Sequence, residues 1–366
     1  MIISHFELYR YTLALKESVK IKGKVLNKRE GIILRLQSPG GSEGLGEIAP
    51  LPEFNQETIE ACVGQLNKIL PMIKSQEIPS HLENLNGGFE HWLGHYQLYP
   101  SVRFGIEMAI LNLVADLKKV PLQRLFYTEP LKEIKVTGLL QGSAKDMEAQ
   151  AKKMIKEGFT DFKMKVDRDI KESVKKIKAI NDIIFEKGIL HIDANQYLTV
   201  EDAITLGEEI GAAAVTYIED PFKEPDQMPH FFNQTLIPVA IDEPVKDMSF
   251  DQIKSIEGVD FIVIKPGVFG GIERTKKWIE EAKKVALRIV ISSAYESDLT
   301  IYTLANLSGL CEHDTAAGLD TLKYFKESLL QEPLSIKKGQ ISLNRGPIHL
   351  KDLNNQVLTL ITHAKH

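Results

Sequence analysis

The pattern of apolar and polar positions in the first third of the chain predicts a small α+β unit. Apolar residues alternate with polar ones in the runs 2–15, 31–36 and 44–48, which is typical of strands with one buried face. Apolar residues recur at helical spacing in 55–73 and 101–118, which predicts two helices. The three short strands predict an antiparallel sheet that these helices cover.

Residues 16–30 interrupt this pattern with a lysine-rich stretch whose large apolar residues include Val25 and Leu26. Such composition is typical of an exposed loop, and that is the structural prediction. The functional alternative is a mobile lid that closes over a site together with residues 51–54.

From residue 131 the pattern becomes an alternation of short apolar runs with amphipathic helical segments. Repeated βα units of about 25 residues favour parallel strands joined by right-handed crossovers, and eight of them close a barrel. The predicted strands are 134–140, 162–166, 189–194, 214–219, 237–242, 261–265, 288–293 and 313–316. The predicted helices between them are 145–157, 170–185, 200–210, 227–232, 250–256, 272–285 and 297–308.

No clear helix follows the eighth predicted strand, and the chain continues instead as a tail containing Pro and Gly with a strand-like run at 340–343. The fold expected is therefore a (β/α)7β TIM-like barrel with an α+β capping domain. The predicted divisions are a capping domain at 1–130, the barrel at 131–321, and a tail at 322–366 that returns to the capping domain.

Composition narrows the partners and the compartment. The chain has 366 residues, a net charge of −5 with both signs interspersed, and two cysteines. These values do not suggest a nucleic-acid partner or a disulfide framework, and no apolar run reaches the roughly 18 residues of a membrane span. Because no signal peptide is recognisable at the start, a cytoplasmic protein with a small-molecule partner is expected, with its oligomeric state open.

Lys163 and Lys165 end the second predicted barrel strand, where barrel enzymes carry their catalytic groups. Residues two apart in a strand share a face, so the two ammonium groups are expected side by side, with Met164 facing the other way. Two close like charges destabilise each other's protonated forms, which is one way to make a lysine usable as a base. In isolation such a pair is most often simply solvated.

Carboxylates end the next three predicted strands, namely Asp193, Glu219 and Asp242. A single Asp at a strand end usually caps the following helix. Three carboxylates converging on one point repel one another unless a cation lies between them. An oxygen-only ligand set suits a hard divalent ion, with Mg²⁺ expected first and Mn²⁺ second.

Lys265 ends the sixth predicted strand, which lies across a closed eight-stranded barrel from the second. Lys165 and Lys265 are thus expected to face each other across a pocket whose wall carries the three carboxylates. A carboxylate substrate held there would present its α-carbon between the two amines. This arrangement favours removal of a proton α to a carboxylate.

These motifs resemble those of the enolase superfamily and, within it, the muconate-lactonizing subgroup. Its K-x-K pair and opposing lysine match Lys163, Lys165 and Lys265, and its three metal-ligand motifs match 193–195, 219–221 and 242–244. The subgroup includes cycloisomerases, racemases or epimerases of acylated amino acids and dipeptides, and o-succinylbenzoate synthases. The resemblance implies Mg²⁺ on Asp193, Glu219 and Asp242.

Further stretches are similar to o-succinylbenzoate synthases: 44–52 with Phe54, 100–105, 292–297 and 318–322. The resemblance places substrate-binding residues in these stretches, namely Leu51, Phe54, Ser292, Ser293, Gly318 and Leu319. The Asp-x-Asp pair usual in dipeptide epimerases is missing at 314–316. His191 stands where relatives often carry arginine and is expected to point inward below the metal layer.

The resemblance implies a Mg²⁺-dependent dehydratase in which Lys165 is the base, Lys163 its electrostatic neighbour and Lys265 a cation facing the substrate ring. Two alternatives stay open. An N-acylamino acid racemase would use Lys165 and Lys265 as bases on opposite faces. A barrel that binds carboxylates or metal without catalysis is the alternative from another class.

Overall fold

The computed structural model describes residues 2–21, 23–74, 76–312 and 314–361. The strands are β1 (His5–Ile21), β2 (Lys24–Gln37), β3 (Glu43–Ile48), β4 (Glu133–Lys135), β5 (Gly138–Leu140), β6 (Asp161–Lys165), β7 (Ile189–Asp193), β8 (Ile218–Glu219), β9 (Val239–Ile241), β10 (Val259–Ile264), β11 (Arg288–Ile291), β12 (Ile336–Lys337), β13 (Gln340–Ser342) and β14 (Leu358–Leu360). The helices are α1 (Ile59–Lys74), α2 (Gly88–Leu93), α3 (Pro100–Lys118), α4 (Ala144–Lys156), α5 (Ile170–Ile184), α6 (Val200–Ile210), α7 (Met228–Thr235), α8 (Phe250–Lys254), α9 (Pro266–Phe269), α10 (Ile272–Lys284) and α11 (Asp298–Ser308).

The capping domain is built on an antiparallel sheet in the order β14-β1-β2-β3. Helix α3 packs against β3 so closely that a Cβ on Gly46 would lie 1.9 Å from the carbonyl oxygen of Gly105. The two glycines therefore let the helix backbone and the strand backbone approach each other.

The prediction of a loop at residues 16–30 was wrong, because most of this stretch belongs to the β1–β2 hairpin. Val19 pairs with Leu26 and Ile21 with Lys24, and both Ile21 and Leu26 are buried. Lys20 and Lys24, on the two strands of this ribbon, are exposed. Lys22 lies outside the described residues, and Gly23, which follows it, has a φ of 89°. A mobile-lid role for this hairpin stays a prediction.

The barrel is formed by the parallel sheet β5-β6-β7-β8-β9-β10-β11, with helices outside it. Single parallel bridges from Val136 to Ala317 and from Ser292 to Gly318 close the ring. The eighth strand position is thus at residues 317–318, just beyond the predicted run 313–316, of which His313 lies outside the described residues. The fold is a (β/α)7β TIM-like barrel with an α+β capping domain, as the sequence predicts.

The chain after the barrel contributes to two further sheets. β13 pairs with β4 and with β12 in a three-stranded sheet, and β14 pairs antiparallel with β1 of the capping sheet. The domain divisions at 130 and 321 remain predictions. Within the described residues, no helix is both long and apolar enough to cross a membrane.

Candidate active site

Five charged residues meet at the C-terminal ends of consecutive barrel strands. Lys165, Asp193 and Glu219 are the last residues of β6, β7 and β8, and the β ladder pairs Lys165 with Asp193 and Asp193 with Glu219. Asp242 and Lys265 directly follow β9 and β10. All five residues therefore lie at the C-terminal ends of neighbouring parallel strands, the end at which barrel enzymes carry their catalytic groups.

All five residues, with Lys163, line a cavity that opens between the barrel and the capping domain. The hairpin contributes Lys20 and Ile21 to its wall, and the segment after β3 contributes Leu51 and Phe54. Because both domains supply walls, the cavity is formed where the capping sheet covers the barrel mouth.

Lys163 is largely buried, with its ammonium group among carboxylates. Its Nζ lies 2.7 Å from an oxygen of Glu219 and 3.0 Å from an oxygen of Asp193. Burial alone would lower the pKa of Lys163, but attraction to Asp193 and Glu219 outweighs it and holds that pKa well above its usual value. Lys163 is therefore a fixed positive charge in this site.

The carboxylates respond to this environment differently. Burial, with repulsion from Asp193 and Asp242, raises the pKa of Glu219 despite its contact with Lys163. Burial opposes ionisation of Asp193 too, but Lys163 and Lys165 lower its pKa overall. Carboxylates this close together oppose one another's ionisation. A cation placed between them would stabilise their ionised forms.

Lys265 lies on the opposite side of the ring, since β10 is four strands from β6 in a closed ring of eight positions. Its ammonium group contacts Asp242 and lies 5.1 Å from the ring centroid of Phe54. Burial lowers the pKa of Lys265, but the attraction of Asp242 and Glu219 raises it overall. An aromatic ring from the capping domain thus covers one amine of the barrel.

Lys165 is more exposed than the other two lysines and donates a hydrogen bond of 2.5 Å to Oδ1 of Asn195. The backbone N–H of Asn195 in turn donates to Oδ1 of Asp193 at 2.9 Å. Asn195 has a φ of 44°, in the left-handed region that asparagine tolerates. It therefore orients Lys165 relative to Asp193.

Asp193, Glu219 and Asp242 have the donor chemistry that a hard divalent cation requires. All three are buried, with 4%, 2% and 9% of their surface exposed. Two of them are engaged by Lys163 and the third by Lys265. Accordingly, the described residues contain no group of three Asp, Glu, His or Cys side chains already arranged around a metal position. These three carboxylates fit a divalent cation that replaces the lysine ammonium groups at their oxygens.

Most of the predicted substrate-binding residues line the cavity, namely Leu51, Phe54, Ser292, Ser293 and Gly318. Leu319 is different: it is fully buried in the hydrophobic core. A strand alternates its faces, so the neighbour of the cavity-lining Gly318 points away from the cavity.

Sequence reasoning missed other cavity residues. Thr137 and Gln141 flank β5, and Tyr217 stands two residues before Glu219 on the same inward face of the barrel. The ring of His191 stacks on Tyr217 with centroids 4.4 Å apart, which places it inside the barrel below Asp193. The two-residue alternation that identified Lys163 would also have identified Tyr217.

Comparison with known proteins identifies both parts of the chain. Residues 146–347 match the family model "Enolase C-terminal domain-like", and residues 3–113 match "MenC, N-terminal domain". The o-succinylbenzoate synthase of Yersinia enterocolitica is 30% identical over 89% of this chain and 92% of its own length. That of Aliivibrio fischeri strain ES114 is 29% identical over 88% and 92%. The chain spans only 22% of protein PHYLLO of Arabidopsis thaliana, to which it is 29% identical over 90% of its own length.

Solved structures share the fold. An N-succinyl Arg/Lys racemase from Bacillus cereus has a TM-score of 0.85 at 23% identity, covering 99% of this chain and 100% of its own. A muconate lactonizing enzyme from Pseudomonas fluorescens, complexed with muconolactone, has a TM-score of 0.83 at 18% identity, with 98% and 97% covered. A dipeptide epimerase from Enterococcus faecalis, complexed with Mg and a dipeptide, has a TM-score of 0.83 at 20% identity, with 95% and 98% covered.

Three observations agree with one another. A family model covers more than half of the chain, and the fold is shared with muconate-lactonizing enzymes and epimerases. Five charged residues stand at the mouth of the barrel. The chain belongs to the enolase superfamily of enzymes.

Proposed function

We propose that the chain is an o-succinylbenzoate synthase, the dehydratase of menaquinone biosynthesis, acting on 2-succinyl-6-hydroxy-2,4-cyclohexadiene-1-carboxylate. The observation that carries the proposal is the placement of Lys165 and Lys265 on opposite walls of one cavity that also contains three carboxylates. The match of residues 3–113 to the MenC N-terminal domain supports this reaction over others of the subgroup.

Lys165 is the base in this proposal. Its neutral amine takes the proton α to the substrate carboxylate, and the resulting electron pair forms a ring double bond as the bond to the hydroxyl leaves. The Lys165 ammonium returns the proton to the departing hydroxide, so one water is lost and no oxidant is needed. Aromatisation of the ring makes the overall reaction favourable.

The surrounding residues stabilise the charge that develops. Asp193, Glu219 and Asp242 would hold Mg²⁺, or Mn²⁺ as the second choice, and the bound ion would supply positive charge that stabilises the deprotonated substrate. Lys163 adds a fixed positive charge at the same place. Lys265 moves no proton in a one-base elimination and acts as a cation facing the ring.

An ultraviolet assay for the aromatic product, with the cyclohexadiene substrate in Mg²⁺ or in chelator, tests the proposal. Turnover is expected in Mg²⁺ and not in chelator, and Asp193→Asn is expected to abolish it. The matched control is Asp182→Asn, since Asp182 is exposed on the outer helix α5. Equal turnover in chelator and in Mg²⁺ would contradict the role of the metal, and no aromatic product in either would contradict the proposed reaction.

An N-acylamino acid racemase is the second candidate, because both amines line the same cavity from opposite sides. Solvent deuterium entering the α-carbon of N-succinyl amino acids would support it. In that case Lys265→Gln should stop racemisation while one enantiomer still exchanges its α-proton. Metal binding without turnover or exchange on any such acid would instead support a non-catalytic carboxylate- or metal-binding barrel.

A further inference from the structure

Arg29 is a buried guanidinium that joins the capping domain to the barrel. It lies on β2 with 3% of its surface exposed. Its nitrogens donate hydrogen bonds to the carbonyl oxygens of Ala49 (2.8 Å), Pro50 (3.0 Å), Ala294 (3.4 Å) and Tyr295 (3.0 Å). Two of these acceptors follow β3 and two follow β11, so one side chain holds two segments that are far apart in the sequence.

Both segments form walls of the cavity. Residues 49–54, here the cap wall, contribute Leu51 and Phe54, and residues 292–297, here the barrel wall, contribute Ser292, Ser293 and Tyr295. The separation of the two walls sets the width of the cavity on this side. Arg29 bonds both walls from behind and is not itself one of the cavity-lining residues.

The barrel wall has a strained backbone that needs external support. Tyr295 has a φ of 58°, which is unfavourable for a residue with a large side chain and persists only where the surroundings enforce it. Arg29 holds the carbonyl of this residue. Two carboxylates hold its neighbours: Glu296 accepts from Ala294 N–H at 2.6 Å, and Glu47 of β3 accepts from Ser297 N–H at 2.9 Å.

We infer that Arg29 is a positioning residue that fixes the spacing of the cap wall and the barrel wall, and thereby substrate binding. This inference rests on the proposed function for its substrate. The guanidinium is suited to this task because its planar fork directs several N–H groups at fixed angles. A lysine ammonium keeps the charge but is a compact point donor, so it would not hold both walls at once.

Arg29→Lys is therefore the informative variant. Its KM for the cyclohexadiene substrate is expected to rise about 10-fold, with kcat within about 3-fold of wild type, since the reacting residues stand on other strands. The Kd for Mg²⁺ is expected to be unchanged for the same reason. Arg35→Lys is the matched control, because Arg35 is also on β2 but pairs with Glu7 and Glu43 away from the cavity.

Hydrogen exchange gives a measurement that does not depend on turnover. In Arg29→Lys, backbone amides of the cap wall and of the barrel wall are expected to exchange about 10-fold faster together, while those of α5 stay unchanged. Arg29→Gln, with a shorter uncharged donor, provides the same comparison if the lysine variant does not fold. Assays are run well below the lowest midpoint of thermal unfolding.

Two results would overturn the inference: an unchanged KM, whether or not kcat falls, and faster exchange in neither wall or in only one. If the wild type makes no aromatic product, the proposed reaction fails, and the exchange measurement still decides whether Arg29 joins the two walls.

Discussion

The ammonium group of Lys163 lies 2.7 Å from a carboxylate oxygen of Glu219, inside the barrel, where 19% of the Lys163 side chain and 2% of the Glu219 side chain are exposed. Lys163 places a positive charge directly against Glu219. Removing one partner of a buried ion pair leaves the other unpaired or forces it to bind a proton, and both outcomes cost free energy.

Lys163→Met is therefore expected to lower the free energy of unfolding in chelator by about 3 kcal/mol. Mg²⁺ should stabilise this variant more than it stabilises the wild type, because the ion replaces the missing positive charge. Denaturant unfolding in chelator and in Mg²⁺ measures both effects. Lys178→Met, at an exposed position of α5, is the control. A variant as stable as wild type in chelator would show that the pair is not needed.

Lys165→Ala is expected to lower kcat by at least about 10³-fold, because it removes the base that takes the α-proton. The control is Lys171→Ala, which removes an exposed lysine from the start of α5. Mg²⁺ affinity and thermal unfolding of the Lys165 variant should stay close to wild type, since Lys165 is the most exposed of the three lysines. A nearly normal turnover in Lys165→Ala would rule out its role as the base.

The strand ends could be predicted from the sequence because their signal is local. An apolar run followed by a charged residue identifies Lys165, Asp193 and Glu219 without knowledge of distant segments. The same alternation separates Gly318, which lines the cavity, from Leu319, which is buried in the core.

What could not be predicted depends on contacts between distant segments. The hairpin at residues 16–30 is stabilised by pairing across the ribbon, as between Val19 and Leu26, and lysine-rich composition concealed it. Arg29 bonds carbonyl groups up to 266 residues away. Carbonyl acceptors exist at every residue, so no side-chain pattern in the sequence indicates which of them an arginine will reach.

Glu107 predicts a pH dependence of stability. It is fully buried in α3, and burial raises its pKa to about 7, although Arg103 opposes that shift. The unfolded chain loses this proton at a lower pH than the folded protein does. The folded state therefore binds more protons in this interval, and stability falls as the pH rises from about 4.5 to 7.

Glu107→Gln removes this titration. Relative to the variant, the free energy of unfolding of the wild type is expected to fall by about 2–3 kcal/mol between pH 5 and 8. Denaturant unfolding across this range measures the difference. Glu208→Gln, at an exposed position of α6, should follow the pH dependence of the wild type. Parallel curves for wild type and Glu107→Gln would show that Glu107 does not contribute to it.

Gly46 and Gly64 predict opposite effects of the same substitution. A Cβ on Gly46 would lie 1.9 Å from the carbonyl oxygen of Gly105, a backbone atom that can move only if α3 separates from β3. Gly46→Ala is thus expected to cost about 3 kcal/mol of stability. A Cβ on Gly64 in α1 meets nothing within 4 Å. Gly64→Ala should therefore stabilise the protein by about 0.5–1 kcal/mol, through the reduced freedom of the unfolded chain.

Thermal unfolding of the two alanine variants measures both changes against the wild type. Because β3 leads directly into the segment that carries Leu51 and Phe54, Gly46→Ala should also raise the KM for substrate. Gly64→Ala, on a helix that supplies no residue to the cavity, should leave KM unchanged. If Gly46→Ala unfolds at the wild-type temperature, the close approach of α3 to β3 does not constrain this position, and the need for glycine there has another cause.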